Sequence, residues 1–372
     1  MKNFVYDQPA ARVIFGVGSL DCLAEEVKRL GARRAIVLAT PEQRADAEDA
    51  ARRLGDVSAG VYAEAVMHVP IETARAAREE AKKRGADCYV AIGGGSTVGL
   101  GKAIALESGL PIVAVPTTFA GSEMTPIWGV TAGGMKKTGR DSRVLPRTVI
   151  YDPILTLTLP AAIAGASGMN AIAHCVEALY SENANPIVSM LAEEGIRALA
   201  DSLPKVVGEP ESLEHRSRAL YGAWLAGISL GSVGMALHHK LCHALGGGFN
   251  LPHAETHNVI LPHATAYNRA AAPEAMARIA RALGGVANPA GGLFDLARRL
   301  GTPRSLREIG MKESDLERAV ALATTNPYYN PRPVTRQGVR ALLDDAFHGR
   351  RPAASSVQAG RLLRKLKRGR ER

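Results

Sequence analysis

The sequence predicts an α/β domain followed by an all-α domain, and three observations carry that expectation. Residues 1–153 alternate short β-rich runs with helix-period segments. Strand signals stop after Asp152 and Pro153, and Ala/Leu/Glu-rich helical stretches then run to about residue 347. With 372 residues and 46% hydrophobic content, the chain can bury more than one core, so two domains are the natural division. The expected limits are 1–153 for the α/β domain, 154–349 for the helical domain and 350–372 for a basic tail.

Candidate strands lie at 12–15, 35–38, 60–62, 88–92, 112–115 and 148–151. Helix-period segments at 43–54 and 71–84 fall between them, giving the β-α-β rhythm of a parallel sheet covered on both faces. Beyond residue 153 helix-on-helix packing is the simplest solution, with Gly and Pro marking the turns.

The formal charge of +10 is concentrated at one end: nine Lys or Arg against Glu371 between residues 350 and 372 leave only +2 on the first 349 residues. A like-charged block after Pro-Ala-Ala-Ser-Ser reads as a disordered tail, and the expectation is no nucleic-acid partner. The first residues lack a basic stretch followed by an apolar one, and no run approaches the length of a membrane helix. The reading is a cytoplasmic protein without a membrane partner. Four scattered cysteines, Cys22, Cys88, Cys175 and Cys242, suit free thiols better than disulfides.

The candidate strand 88–92 runs into Gly93-Gly94-Gly95-Ser96 and then into a helical pattern. Glycines let a backbone approach a diphosphate closely, and the helix N-terminus favours that anion, with Ser96 as the expected cap. The loop is neither GxGxxG nor the P-loop. Pro116-Thr117-Thr118-Phe119-Ala120-Gly121-Ser122, after the next strand, would reach the same carboxyl edge of the sheet, where ligands bind in open α/β folds. A dinucleotide is the expected ligand.

Six of the ten histidines, His238, His239, His243, His253, His257 and His263, fall within 26 residues. His239 and His243 are four apart, as are Asn170 and His174 in GMNAIAHCVEALY, and that spacing sets both members of a pair on one helical face. Groups of this kind can bind a divalent cation, position a substrate or supply a proton. His253-Ala254-Glu255-Thr256-His257 differs from the HExxH zinc helix in order and spacing.

Taken together, FGxG from Phe15 to Gly18, GGGS at Gly93, PTT at Pro116, the Asn170/His174 helix and the His239, His253 and His263 region resemble the iron-containing alcohol dehydrogenase family. The match covers residues 1 to about 350. KTGRD at Lys137, SGMNAIAHCVEALY, LHHKLCHALGG and LPHAETHNVILPHA are similar to its maleylacetate reductase branch. The resemblance implies the dehydroquinate synthase-like fold and a homodimer.

It also implies a nicotinamide site. Gly93, Gly94, Gly95 and Ser96 would hold the pyrophosphate, and Thr117, Thr118, Phe119 and Ser122 would line the path to the nicotinamide. Thr40 stands where many NAD-selective relatives carry an Asp that repels a 2′-phosphate, so NADH and NADPH should both serve. Metal-dependent members use an Asp and three His, which map onto Asn170, His174, His239 and His253. Replacing the one anionic ligand by an amide weakens the hold on a hard cation. The expectation is therefore a reductase that does not require metal, while three imidazoles can still hold Zn²⁺.

The implied reaction is NAD(P)H-dependent reduction of the carbon–carbon double bond of maleylacetate, and possible chlorinated analogues, to 3-oxoadipate. His243, His253, His239 and Lys240 are the catalytic candidates. Asn170, His174, His238, Lys137, Arg140 and Tyr329 are the candidates for the dicarboxylate substrate, since two carboxylates need cations or donors. The alternatives are a metal-dependent alcohol or polyol dehydrogenase of the same family, a lyase of the dehydroquinate synthase type, and a binding protein with a basic tail.

Overall fold

The computed structural model describes residues 4, 6, 11–133 and 135–353. Six parallel strands form the first sheet: β1 (Arg12–Phe15), β2 (Ala35–Leu38), β3 (Ser58–Tyr62), β4 (Cys88–Gly93), β5 (Ile112–Pro116) and, after a two-stranded hairpin, β8 (Thr148–Tyr151). Their order is β1-β8-β5-β4-β2-β3. Helices α1 (Leu23–Arg29), α2 (Arg44–Leu54), α3 (Ile71–Lys83) and α4 (Gly95–Ser108) connect them. Every residue of β2, β4, β5 and β8 is buried, which explains their continuous Val/Ile/Ala runs. β2 leads outward to β3, whereas β4 leads the other way to β5. The crevice between the carboxyl ends of β2 and β4 is thus the switch point at which such sheets bind ligands.

Three local expectations need correction. The strand read at 60–62 starts at Ser58, because a register shift against β2 and the positive φ of Gly60 interrupt its alternation. β6 (Ile127–Ala132) and β7 (Met135–Arg140) pair as an unexpected hairpin. The polar MKKTGR has no two-residue hydrophobic pattern to announce it, and Trp128 lies across Gly139, where a Cβ would come within 2.7 Å of the indole. The chain is also still docked at the start of the supposed tail. Arg351 makes a two-pronged ion pair with Asp295, and Asn288 and Arg269 donate to the carbonyls of Pro352 and Ala353. Residues 354–372, the rest of the tail, lie outside the described residues.

The second half consists of α5 (Ala161–Ala178), α6 (Pro186–Gly208), α7 (Leu213–Ser232), α8 (Leu237–Phe249), α9 (His253–Asn268), α10 (Pro273–Ala282), α11 (Pro289–Arg299), α12 (Leu316–Thr324) and α13 (Arg336–His348). From Ala164 onward α5 is buried on all sides. Its Ala and Gly residues make that possible: a Cβ on Gly168 would sit 2.4 Å from Leu203. One apolar core joins α5, α6 and α7 to Phe119, Val149 and Tyr151 from the first half, so the two halves share an interior. The buried guanidinium of Arg216 on α7 donates to the carbonyls of Thr156 and Leu157 after β8. No single helix among the described residues is long and apolar enough to cross a membrane.

Candidate active site

The phosphate loop follows from local backbone geometry. Gly93 ends β4 at φ +149, and extended Gly94 is the N-cap of α4. Ser96 therefore lies in the first turn of the helix and makes no capping bond, contrary to the expectation. A Cβ on Gly93 would meet Thr97 Oγ1 at 2.5 Å, and one on Gly94 would meet Thr118 at 2.9 Å; at Gly95 nothing lies within 4 Å. The exposed Gly95 backbone thus fronts open space where the first helical amides lack intrahelical partners, a cradle that fits a diphosphate.

Side chains tie this cradle to its neighbours. Gln43, in the turn that Thr40 opens after β2, donates to Thr117 Oγ1 at 2.7 Å and spans the crevice above Gly93. Lys102 on α4 is buried and donates to the carbonyls of Ser122, Thr125 and Ile127 and to Thr125 Oγ1 at 2.6–3.0 Å, fixing the loop after β5. Neither residue was picked out from the sequence, because each acts through partners 20 or more residues away. The Phe119 ring is wholly buried in the helical core. It packs there and does not line a nucleotide path, as had been expected of it.

The histidines converge from three helices. On α5, Asn170, His174 and Glu177 share a face through their spacings of four and three. α8 carries His238, His239, Lys240 and His243, and the turn at Asn250 (φ +54) folds α9 back so that His253 and His257 join them. His174 Nδ1 lies 2.9 Å from His239 Nε2, and His238 Nε2 lies 2.9 Å from His257 Nδ1. The His257 ring is 4.4 Å from that of His253 and 4.9 Å from that of His239, centre to centre. Burial holds His174, His238 and His257 well below the usual imidazole range, and the neighbouring histidines add to the effect. These three rings are thereby held neutral within the nest.

Glu177 organises this nest, although the sequence reading passed over it. Its fully buried carboxylate accepts from the backbone N–H groups of Ala236, at 2.8 Å, and His238, at 2.7 Å, and from His239 Nδ1 at 2.7 Å. One anion therefore caps the N-terminus of α8, where the helix dipole favours it, and sets the ring of His239. Its spacing of three from His174 was the available signal. The N–H of Phe119 donates to Ser167 Oγ on α5 at 3.3 Å, which joins that helix to the loop after β5.

The remaining candidates are distributed unevenly. His238 has no exposed surface and is bonded to His257, so it braces the nest and cannot meet a substrate as had been expected. His263 is buried against Phe294, with its Nε2 lacking a hydrogen-bond partner among the described residues. Arg140 donates to the carbonyl of Gly231 at the end of α7, and Lys137 is exposed on β7. Tyr329 is 46% exposed; it is Tyr328, which was not singled out, whose hydroxyl lies 3.1 Å from His243 Nδ1. Cys175 and Cys242 are buried, and burial pushes both thiols up.

The positions to which the resemblance maps a metal carry donor atoms of the kinds a cation takes. Asn170 Oδ1 is buried and has no hydrogen-bond partner among the described residues, one helical turn from the His174–His239 pair. An amide oxygen with imidazoles of His174, His239 and His253 is a donor set suited to a borderline cation such as Zn²⁺ and poorer for a hard one. His238, Cys242 and His257 form a second cluster with nitrogen and sulfur atoms within 4.8 Å of one another.

Comparison with known proteins matches these features to a family. The profile described as iron-containing alcohol dehydrogenase matches residues 10–153, and that of the C-terminal part of the iron-containing alcohol dehydrogenase family matches residues 164–347. Maleylacetate reductase of Burkholderia cepacia is 59% identical over 353 residues, covering 95% of this chain and 100% of that protein. Maleylacetate reductase of Sphingobium indicum is 55% identical, covering 94% and 99%. The crystal structure of maleylacetate reductase from Agrobacterium tumefaciens superposes with a TM-score of 0.91 at 53% identity, covering 95% and 100%. A family described by its iron lends no support to the expectation that metal is not required. By sequence along both halves and by fold, the chain belongs to the iron-containing alcohol dehydrogenase family.

Proposed function

We propose that this chain is a cytoplasmic, homodimeric reductase that uses NADH or NADPH to saturate the carbon–carbon double bond of maleylacetate, giving 3-oxoadipate. The observation that carries the reading is the bond from the Phe119 N–H to Ser167 Oγ on α5, at 3.3 Å. It joins the helix that carries Asn170 and His174 to the loop that borders the diphosphate cradle, and so sets the imidazole nest beside the far end of a nucleotide lying over Gly94 and Gly95. The near-full-length identity with maleylacetate reductases supports the substrate. Thr40 in place of an acidic residue after β2 supports the use of both nucleotides.

Bound NAD(P)H supplies the hydride. Addition to one alkene carbon of the enone moves negative charge onto the ketone oxygen, so the site must offer donors there. His253 is assigned to that oxygen and His243 to protonating the adjacent carbon, while His239, whose Nδ1 proton goes to Glu177, offers Nε2 only as an acceptor or a cation ligand. Lys240, three residues before His243 on α8, is the cation assigned to a substrate carboxylate. A divalent cation held by Asn170, His174, His239 and His253 would add Lewis-acid stabilisation of the same oxygen.

The test is NADH oxidation with freshly prepared maleylacetate, set against simple aldehydes and ketones. Consumption with maleylacetate and formation of 3-oxoadipate is the expected result; faster oxidation with aldehydes would overturn the reading. His243→Ala should lower turnover roughly 10²-fold, and near-normal turnover would remove His243 from the mechanism.

A further inference from the structure

The segment 325–335, TNPYYNPRPVT, contributes nothing to either apolar domain half beyond Val334, yet it is fastened at many points. Asn330 and Asn268 exchange two amide hydrogen bonds, at 2.7 and 2.9 Å. The guanidinium of Arg332 lies 4.1 Å from the centre of the Tyr267 ring and donates to the Tyr267 carbonyl at 3.1 Å. The Tyr267 hydroxyl in turn donates to the carbonyl of Pro333 at 2.7 Å. Three prolines, Pro327, Pro331 and Pro333, reduce the freedom the strap would otherwise lose on ordering.

The outcome is a rigid placement of Tyr328 against α8. Its hydroxyl is 3.1 Å from His243 Nδ1, with the two rings edge to face, and the ammonium of Lys240 lies 5.6 Å from its ring centre. Tyr328 also lines a cavity of about 310 Å³ with Ser181, Asn183, Met235 and Tyr329. A single side chain thus touches both α8 residues to which the reaction assigns a proton and a cation.

We propose that Tyr328 is a positioning residue for His243: its hydroxyl donates to Nδ1, so that the neutral ring carries its proton on Nε2, while its face holds the Lys240 ammonium. This rests on the role given to His243 above. An imidazole has two distinct nitrogens, and the bond made by one decides where the proton sits on the other. Burial and the charge of Glu177 push the Tyr328 hydroxyl up, which keeps it a neutral donor.

The test uses Tyr328→Phe in the full chain, which keeps the ring and removes only the hydroxyl. Turnover with maleylacetate should fall roughly tenfold, as for other groups that orient a histidine from behind, with the KM for NADH unchanged. In a His243→Ala background the same substitution should cost nothing further. Turnover within twofold of the parent, or an equal loss in both backgrounds, would overturn the proposal. The nitrogen-15 spectrum of His243 separates this from the reaction itself. The parent should show the Nε2-protonated tautomer and Tyr328→Phe a mixture, whatever substrate the enzyme takes; an identical spectrum would also overturn it.

Discussion

Gly95→Ala separates nucleotide binding from folding more cleanly than any other change in the phosphate loop. A Cβ at this position meets no protein atom within 4 Å, whereas one at Gly94 would press on Thr118 at 2.9 Å and one at Gly93 on Thr97 Oγ1 at 2.5 Å. Gly95 is the first residue of α4, and Ala is favoured over Gly in a helix by up to about 1 kcal/mol. Thermal stability without nucleotide should therefore be unchanged or slightly higher. If the diphosphate packs on this backbone, the added methyl intrudes on it at an overpacking cost of about 1–3 kcal/mol. At 1.4 kcal/mol per tenfold, that is a loss of roughly 5- to 150-fold in affinity for NADH. Fluorescence titration with NADH and a melting curve on the same sample read the two effects separately. An affinity within twofold of the parent would show that the diphosphate does not lie over Gly95, and a lowered melting temperature would show that the space is not open.

Three further outcomes follow from the histidine nest. Glu177→Gln leaves buried backbone N–H groups at the start of α8 facing a poorer acceptor and should lower stability by about 3 kcal/mol; an unchanged urea midpoint would refute its capping role. Asn170→Asp restores an anion at an oxygen that now lacks a partner, and should raise metal retention at least roughly tenfold, read by elemental analysis after dialysis. Equal metal content in the two proteins would mean that this position does not face a cation. Burial pushes His263 down from 6.5 to about 4, so between those values the unfolded chain binds a proton that the folded chain does not. Stability should therefore fall as pH drops from 6.5 towards 4, by up to about 3 kcal/mol from this group, with buried His174, His238 and His257 acting in the same direction. His263→Phe should flatten part of that slope in urea midpoints measured at pH 7 and 5; an unaltered slope would refute it.

The central strands and the phosphate loop were legible because their causes are local. β2, β4, β5 and β8 are buried on both faces and therefore read as apolar runs. Gly93 and Gly94 are required by backbone angle and by Thr97 and Thr118 pressing on them, and the spacing of four between Asn170 and His174 encodes a shared helical face. The hairpin was not legible, since β7 is polar and is held by its pairing with β6. Ser96 looked like a cap by residue type, but the extended backbone of Gly94 placed the helix start two residues earlier.

By itself, the sequence determined the class of fold, the position of the nucleotide loop and the set of histidines, because periodicity, glycine placement and residue type act over a few residues. Only the tertiary structure decided which of those histidines braces and which faces outward. His238 and His243 are both on α8, five residues apart, yet one is sealed against His257 and the other reaches Tyr328, 85 residues further along the chain. Glu177 likewise gained its role from the approach of α8, more than 50 residues away. Burial, hydrogen-bond partners and the proton positions that follow depend on which helices pack together, and packing is a property of the whole chain.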